Sequence, residues 1–141
     1  MNDQPGLALR MRRETRVISA QHRALDEFYL RLASALDAGE PEGTRAAFAR
    51  FSDALEAHLA LEDSLYFPAL RGLRPALGRD LAALCAEHDG LRTRLAAVAR
   101  LVERGSCADC VHPLEHLVAD LAEHEGREEG LLTSLQKGDH P

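Results

Sequence analysis

Residues 48–65 of the chain read FARFSDALEAHLALEDSL. The apolar residues recur at the steps expected of a helix that buries one face, and they are Phe48, Phe51, Leu55 and Leu65. His58 and Glu62 fall within this apolar pattern, one helical turn apart. The stretch therefore predicts a helix that directs an imidazole and a carboxylate into the protein core.

The same pattern occurs a second time at a constant offset of 66 residues. The corresponding pairs are His22 and His88, Gly39 and Gly105, His58 and His124, Glu62 and Glu128, and Leu65 and Leu131. Repetition at a fixed spacing is typical of a duplicated structural unit. The chain thus reads as a doubled helix pair, and each copy carries a histidine followed by His-x3-Glu.

Composition favours a single all-helical domain spanning residues 1–141. Aromatic residues make up only 4%, and no run of alternating β-branched residues occurs. The net charge of −6 comes from interspersed acids and bases, which argues against a nucleic-acid partner. No apolar run approaches the roughly 18 residues that span a bilayer, and residues 1–13 are too polar for a signal peptide. We therefore expect a cytoplasmic protein without a membrane partner.

The apolar pattern predicts four helices within residues 13–137, after a flexible lead-in over residues 1–11. The first helix runs from about Arg13 to Ala38, and Thr44 is expected to cap the second. Pro68 should bend or end the second helix near Leu70. Residues 105–111 form the third connection, and Pro113 is expected in the first turn of the fourth helix. Short connections predict an up-down-up-down four-helix bundle.

The turns also predict the height of each histidine in the bundle. In an antiparallel pair, two residues lie level when the turn is halfway between them. The midpoint between His22 and His58 falls in the first turn, and the midpoints for the next two pairs fall at the second and third turns. All four histidines should therefore lie in one layer.

Six polar residues then occupy core positions in this layer: His22, His58, Glu62, His88, His124 and Glu128. A buried carboxylate without a partner costs several kcal/mol, so a positive group must lie between them. Core-edge histidines with helical Glu partners are the simpler explanation for one pair, but not for six residues in one layer. We expect two metal ions, with iron favoured and manganese or zinc as alternatives.

The doubled arrangement assigns His22 and His58 to one ion and His88 and His124 to the other. Glu62 and Glu128 are expected to bridge the ions, together with an oxo or hydroxo group. No residue is assigned a catalytic role. A ferritin-type site is disfavoured because it uses Glu-x-x-His, a spacing that does not occur in this chain.

The ordered set of motifs resembles the hemerythrin-like (HHE cation-binding) family. The matching features are His22 with Leu25, His58-x3-Glu62 followed by LYFPAL at 65–70, Glu87-His88-x-x-Leu91, and His124-x3-Glu128-Glu129. The resemblance covers residues 13–137 and implies a bundle with a non-haem di-iron centre that binds dioxygen, nitric oxide or peroxide. Oxygen-carrying hemerythrins have a further histidine on the third helix, where this chain has Leu84 and Arg92. Its four-histidine set is similar to the sensor and repair branches.

Three function classes remain open at this point. One is a protein that binds or senses dioxygen, nitric oxide or peroxide. The second is a di-iron enzyme that decomposes peroxide, reduces nitric oxide or delivers iron for iron-sulfur cluster repair, with a metal reservoir as the third. No protein partner can be named, and a homodimer is left open.

Several other residues are interpreted as structural. Tyr29 and Tyr66 are expected to pack in the core away from the metal layer. Cys107 and Cys110 form a CxxC that we expect in a solvated loop, with a redox switch or a zinc half-site as the alternative. Glu125 should face solvent, whereas Asp63 or Glu129 are candidates to orient ligands.

Overall fold

The computed structural model describes residues 4–137, and these are helical apart from short turns. The α-helices are α1 (Gln4–Ala38), α2 (Pro41–Leu61), α3 (Phe67–Leu73), α4 (Gly78–Glu103) and α5 (Cys107–Lys137). A π-helix, Glu62–Tyr66, joins α2 to α3, and a 3-10 turn, Pro75–Leu77, precedes α4. No strand occurs within residues 4–137, so the predicted all-α class is confirmed. None of the helices in this range combines the length and the apolar character that crossing a bilayer requires.

The helices form a closed ring of four. Helix α1 packs against α2 and α5, and α4 packs against α5 and α2. Helix α2, the π-helix and α3 together make the second long member of this ring. The predicted four-helix bundle is therefore confirmed, and each member contacts its neighbours in sequence.

Two apolar clusters fill the interior of the bundle. The larger cluster includes Leu32, Phe51, Leu95, Val98 and Leu117, and it lies toward the turns near residues 39 and 105. The smaller cluster consists of Ile18, Tyr66, Phe67, Leu70, Leu81, Leu84 and Leu132. On each long helix the polar residues singled out above lie between the two clusters. The polar layer is thus enclosed by apolar packing on both sides.

The first and third turns are at the positions that the sequence predicts. Gly39 and Gly105 have φ angles of 67° and 73°, a backbone conformation that side chains with a Cβ rarely adopt. These two glycines are related by the internal repeat. They end α1 and α4 at equivalent places and set the heights of the residues that follow.

The beginnings of α1 and α2 differ from the prediction. Helix α1 starts at Gln4, so the expected flexible lead-in over residues 1–11 is helical from Gln4 onward. Pro5 lies in the first helical turn, where backbone N–H groups have no partner within the helix, so proline is tolerated there. Thr44 does not cap α2, because Pro41 is already in its first turn and Glu40 is the N-cap. Thr44 is instead buried, with its hydroxyl 3.6 Å from the Cys107 thiol.

Helix α5 begins at Cys107, which makes the predicted connection over residues 105–111 too long. The Ser106 carbonyl accepts hydrogen bonds from the N–H groups of Asp109 and Cys110. Cys110 is fully buried in the larger cluster, so apolar packing extends the helix toward its N-terminus. Pro113 consequently lies inside α5 rather than in its first turn. The CxxC segment is helical, and the prediction of a solvated loop is wrong.

The π-helix changes which residues after Glu62 face the core. The Phe67 N–H group donates to the Glu62 carbonyl, five residues earlier, which inserts one extra residue into the turn. Leu65 is therefore 44% exposed, contrary to the prediction, while Tyr66 and Phe67 are buried. Pro68 does not end the helix, because it lies in the first turn of α3, which continues to Leu73.

Candidate metal centre

All six polar residues predicted for the core meet in one buried layer. Their relative exposures are 5% for His22, 2% for His58, 0% for Glu62 and His88, and 1% for His124 and Glu128. Each of the four members of the bundle contributes one histidine. The structure thus brings the whole predicted set together, and the role of these residues as metal ligands remains a prediction.

The first half of the layer contains His22, His58, Glu62 and Glu128. One nitrogen or oxygen atom from each of these four side chains lies within 4.8 Å of those from the other three. His22 Nε2 is 2.9 Å from Glu128 Oε1, and His58 Nε2 is 3.2 Å from Glu62 Oε2. The two imidazole rings meet edge to face, with centroids 5.0 Å apart.

The second half contains His88, His124 and Glu62. Glu62 Oε1 is 2.9 Å from His88 Nε2 and 3.5 Å from His124 Nε2. The imidazole rings again meet edge to face, with centroids 4.9 Å apart. Glu62 therefore belongs to both halves, whereas Glu128 groups only with the first. The sequence treated the two carboxylates as equivalent, and this difference was not foreseen.

An outer ring of acceptors orients the four imidazoles. Each Nδ1 atom contacts one side-chain oxygen. The pairs are His22 with Glu129 Oε2 at 2.9 Å, His58 with Gln21 Oε1 at 2.5 Å, His88 with Asp63 Oδ1 at 2.7 Å, and His124 with Glu87 Oε1 at 2.7 Å. A neutral imidazole that donates its Nδ1–H group keeps a lone pair on Nε2. The arrangement directs four Nε2 atoms inward, which is the usual support for metal-ligating histidines.

The outer ring also follows the internal repeat. Gln21 and Glu87 each precede the histidine of their own helix, while Asp63 and Glu129 each follow a layer carboxylate. Asp63 and Glu129 were foreseen as orienting residues, whereas Gln21 and Glu87 were missed. Their equivalence under the repeat, together with an acceptor side chain in both copies, was the available signal.

The layer is electrostatically incomplete. Among residues 4–137, the buried side-chain atoms without a hydrogen-bond partner are His58 Nε2, Glu62 Oε2, Glu125 Oε2 and Glu128 Oε2. All four belong to residues of the layer or to a residue adjoining it. Leaving such groups unpaired in an apolar interior costs several kcal/mol. Imidazole nitrogens and carboxylate oxygens facing one space fit a divalent cation, and they lack the thiolates of a structural zinc site.

The pKa values of the layer show strong coupling between the carboxylate and the imidazoles. Burial alone would raise the pKa of Glu62, but contacts with His124, His58 and His88 outweigh it and lower the pKa. Burial alone would lower the pKa of His124, but hydrogen bonds to Glu62 and Glu87 outweigh it and raise the pKa. The contacts between Glu62 and His124 therefore favour the charged form of each group.

We expect the metal-free protein to lose stability as the pH rises above 6.5 and through the raised pKa of His124. The raised pKa of His124 stabilises the fold below the unfolded value of 6.5, and this contribution disappears as pH passes through the folded value. The lowered pKa of Glu62 stabilises the fold above the unfolded value of 4.5, and this contribution is lost only as the pH falls into the acid range. Thermal unfolding of the metal-free chain between about pH 6 and pH 8 measures the effect. His124→Gln should flatten the profile and the exposed His116→Gln should not; an unchanged profile in His124→Gln would contradict the assignment.

Glu125 does not face solvent as predicted. Only 13% of its side chain is exposed, and Glu125 Oε2 lies 3.9 Å from His22 Nε2. Burial raises the pKa of its carboxyl group. Its repeat partner is the fully buried Leu59, and a charged residue at a core position of the repeat was the signal that could have identified it.

The remaining candidates surround the layer. Tyr66 lies in the smaller apolar cluster as expected, but it is only one helical turn from Glu62 rather than away from the layer, and burial raises its pKa. Tyr29 packs against the larger cluster. The Cys85 thiol donates to Asp63 Oδ1 at 3.1 Å, and the three cysteines are free. His140 lies outside the described residues.

Comparison with protein families gives one finding. Residues 13–135 match the model of the hemerythrin HHE cation binding domain. Comparisons with curated proteins and with solved structures returned no match.

Proposed function

Because the chain belongs to the hemerythrin HHE cation-binding family, we propose that the buried layer holds two iron ions and binds or senses dioxygen, nitric oxide or peroxide. The observation that carries this proposal is the convergence of four inward-facing Nε2 atoms on two buried carboxylates that each retain an unpaired oxygen. The family implies cation binding. The iron pair and its small ligand are our inference from the donor set.

The residues divide into two ligand groups in this proposal. His22 and His58 with Glu128 hold one cation, His88 and His124 hold the other, and Glu62 is shared. Nitrogen and oxygen donors in this number exceed the need of one tetrahedral zinc and suit iron with vacant positions. An iron pair with vacant positions supplies reversible small-molecule binding and electron exchange. The outer acceptors keep each imidazole oriented.

The surroundings of His88 support a small, weakly polar ligand. The Phe67 ring stacks on the His88 imidazole with centroids 5.5 Å apart. Leu84 is buried in the same apolar cluster. Such walls exclude water but admit a diatomic molecule at little desolvation cost. Arg92 pairs with Asp63 and Glu56, and neither Leu84 nor Arg92 can supply the further imidazole of an oxygen carrier.

Metal analysis combined with absorption spectroscopy tests the proposal. Protein purified in air should contain about two iron ions per chain and absorb in the near ultraviolet. The spectrum should change on adding dioxygen to the reduced protein, or nitric oxide or peroxide to either form. A metal-free protein of normal stability would refute the proposal.

Turnover separates the alternatives. Consumption of many equivalents of peroxide or nitric oxide, lost in Glu62→Ala, would assign an enzyme. Reaction with one equivalent only would support binding or sensing. Redox-inert zinc in the native protein would assign a structural ion or a metal store instead.

Removing an outer acceptor should weaken cation binding without removing a ligand. Asp63→Ala deletes the group that contacts His88 Nδ1 at 2.7 Å, so the imidazole loses its fixed orientation. Affinity should fall by about 10–100-fold in a calorimetric titration of metal-free protein. Glu56→Ala is the matched control, because Glu56 contacts Arg92 but no histidine of the layer. Equal affinity in both variants would contradict an orienting role.

A further inference from the structure

The two halves of the layer are related by the internal repeat but are not equivalent. The position after His58 is Leu59, a fully buried apolar residue, and the position after His124 is Glu125. The repeat therefore replaces an apolar side chain in one copy with a carboxylate in the other. This difference adds a possible oxygen donor to one half of the centre only.

The Glu125 side chain adjoins the first half of the layer. Its Oε2 atom is buried without a hydrogen-bond partner and lies 3.9 Å from His22 Nε2. The same nitrogen is 2.9 Å from Glu128 Oε1, so two carboxylates approach one imidazole from α5. In its charged form, an unpaired carboxylate beside a second carboxylate is unfavourable unless a cation lies between them.

We infer that Glu125 is a further carboxylate ligand of the cation held by His22, His58 and Glu128, and that the His88 side has no counterpart. The inference rests on the proposed function, because it needs a cation in the first half of the layer. Glu62 is shared, so on the inner side of the imidazoles the first half has two carboxylates of its own and the second has none. Hard oxygen donors with negative charge strengthen binding of a divalent cation.

Two consequences follow from this inequality. The first half binds its cation more tightly and is filled first. The second half has fewer protein donors, so vacant positions for a small ligand lie mainly on the side of His88 and His124, where Phe67 and Leu84 form an apolar wall. Glu125 in this way determines which of the two cations is accessible to the ligand.

Calorimetric titration of metal-free protein with Fe²⁺ under nitrogen tests the inference. The wild type should show two binding steps of unequal affinity. Glu125→Leu, which restores the residue of the other copy, should weaken the tighter step by about tenfold or more and leave the weaker step unchanged. Glu125→Gln, which preserves the shape, should weaken the same step. The control Glu123→Leu removes an exposed acid from the same helix and should change neither step.

Double variants assign the step to one half of the layer. In a His22→Ala background the effect of Glu125→Leu should largely disappear, because the two residues act on the same cation. In a His88→Ala background it should persist in full. Wild-type isotherms in both Glu125 variants, or a full effect in the His22→Ala background, would overturn the inference. Absence of Fe²⁺ binding by the wild type would refute the proposed function instead.

Discussion

Glu62→Gln is expected to impair loading of both cations, whereas Glu128→Gln should affect mainly one. The Glu62 carboxylate lies 3.2, 2.9 and 3.5 Å from the Nε2 atoms of His58, His88 and His124, respectively. Glu128 approaches His22 at 2.9 Å and His58 only at 4.0 Å, and it does not group with the second half. Glutamine preserves the shape of the side chain but removes the negative charge that the cations require.

Iron content after reconstitution measures this difference. We expect the iron content to fall from about two ions per chain to below one in Glu62→Gln, and to about one in Glu128→Gln. Asp53→Gln, at an exposed position of α2, serves as a control and should load iron normally. Equal losses in the two layer variants would show that the carboxylates are equivalent, as the repeat alone suggests.

Removal of the cations should lower the melting temperature substantially. Binding to the folded state alone stabilises it by about 4 kcal/mol when free metal is about 1,000 times Kd. For a chain of this size that corresponds to a fall of roughly 10–15 °C on chelation. The physical cause is that six buried polar groups lose the charge that joins them.

Differential scanning calorimetry with and without a chelator checks this expectation. Glu62→Gln provides the matched control, since a variant that loads less metal should show a smaller difference in melting temperature between the two conditions. Restoration of the wild-type melting temperature by added Fe²⁺ should accompany the recovery of bound iron. A wild-type melting temperature indifferent to the chelator would mean that the layer is stable as an imidazole-carboxylate network alone.

The helical periodicity of the sequence predicts the bundle because each long helix buries one continuous face. The same pattern locates the six polar residues, since they replace apolar side chains at core positions. The turn midpoints predict that the histidines lie level, and the buried layer agrees. These features follow from the spacing of residues along the chain, which can be read from the sequence.

The details that were missed depend on tertiary packing. The π-helix at Glu62–Tyr66 changes the register by one residue, and no simple period indicates it. Cys110 is buried in the larger cluster within α5, which begins at Cys107, and Pro113 therefore lies inside a helix. Glu125 was assigned to the surface because charged residues usually lie there. Only the packing of neighbouring helices shows that its carboxylate is enclosed.

The unequal sizes of the two apolar clusters have a dynamic consequence. The smaller cluster, which holds α3 and the second half of α5, has less buried surface and should open locally at a lower free energy than the larger one. The polar layer lies between the two clusters, so bound cations should couple local opening of the smaller cluster to that of the larger one. Amide hydrogen exchange at the α3 end should therefore slow when the cations are bound and accelerate when they leave. Occupancy of the buried site would in this way change the local stability of the bundle at the α3 end.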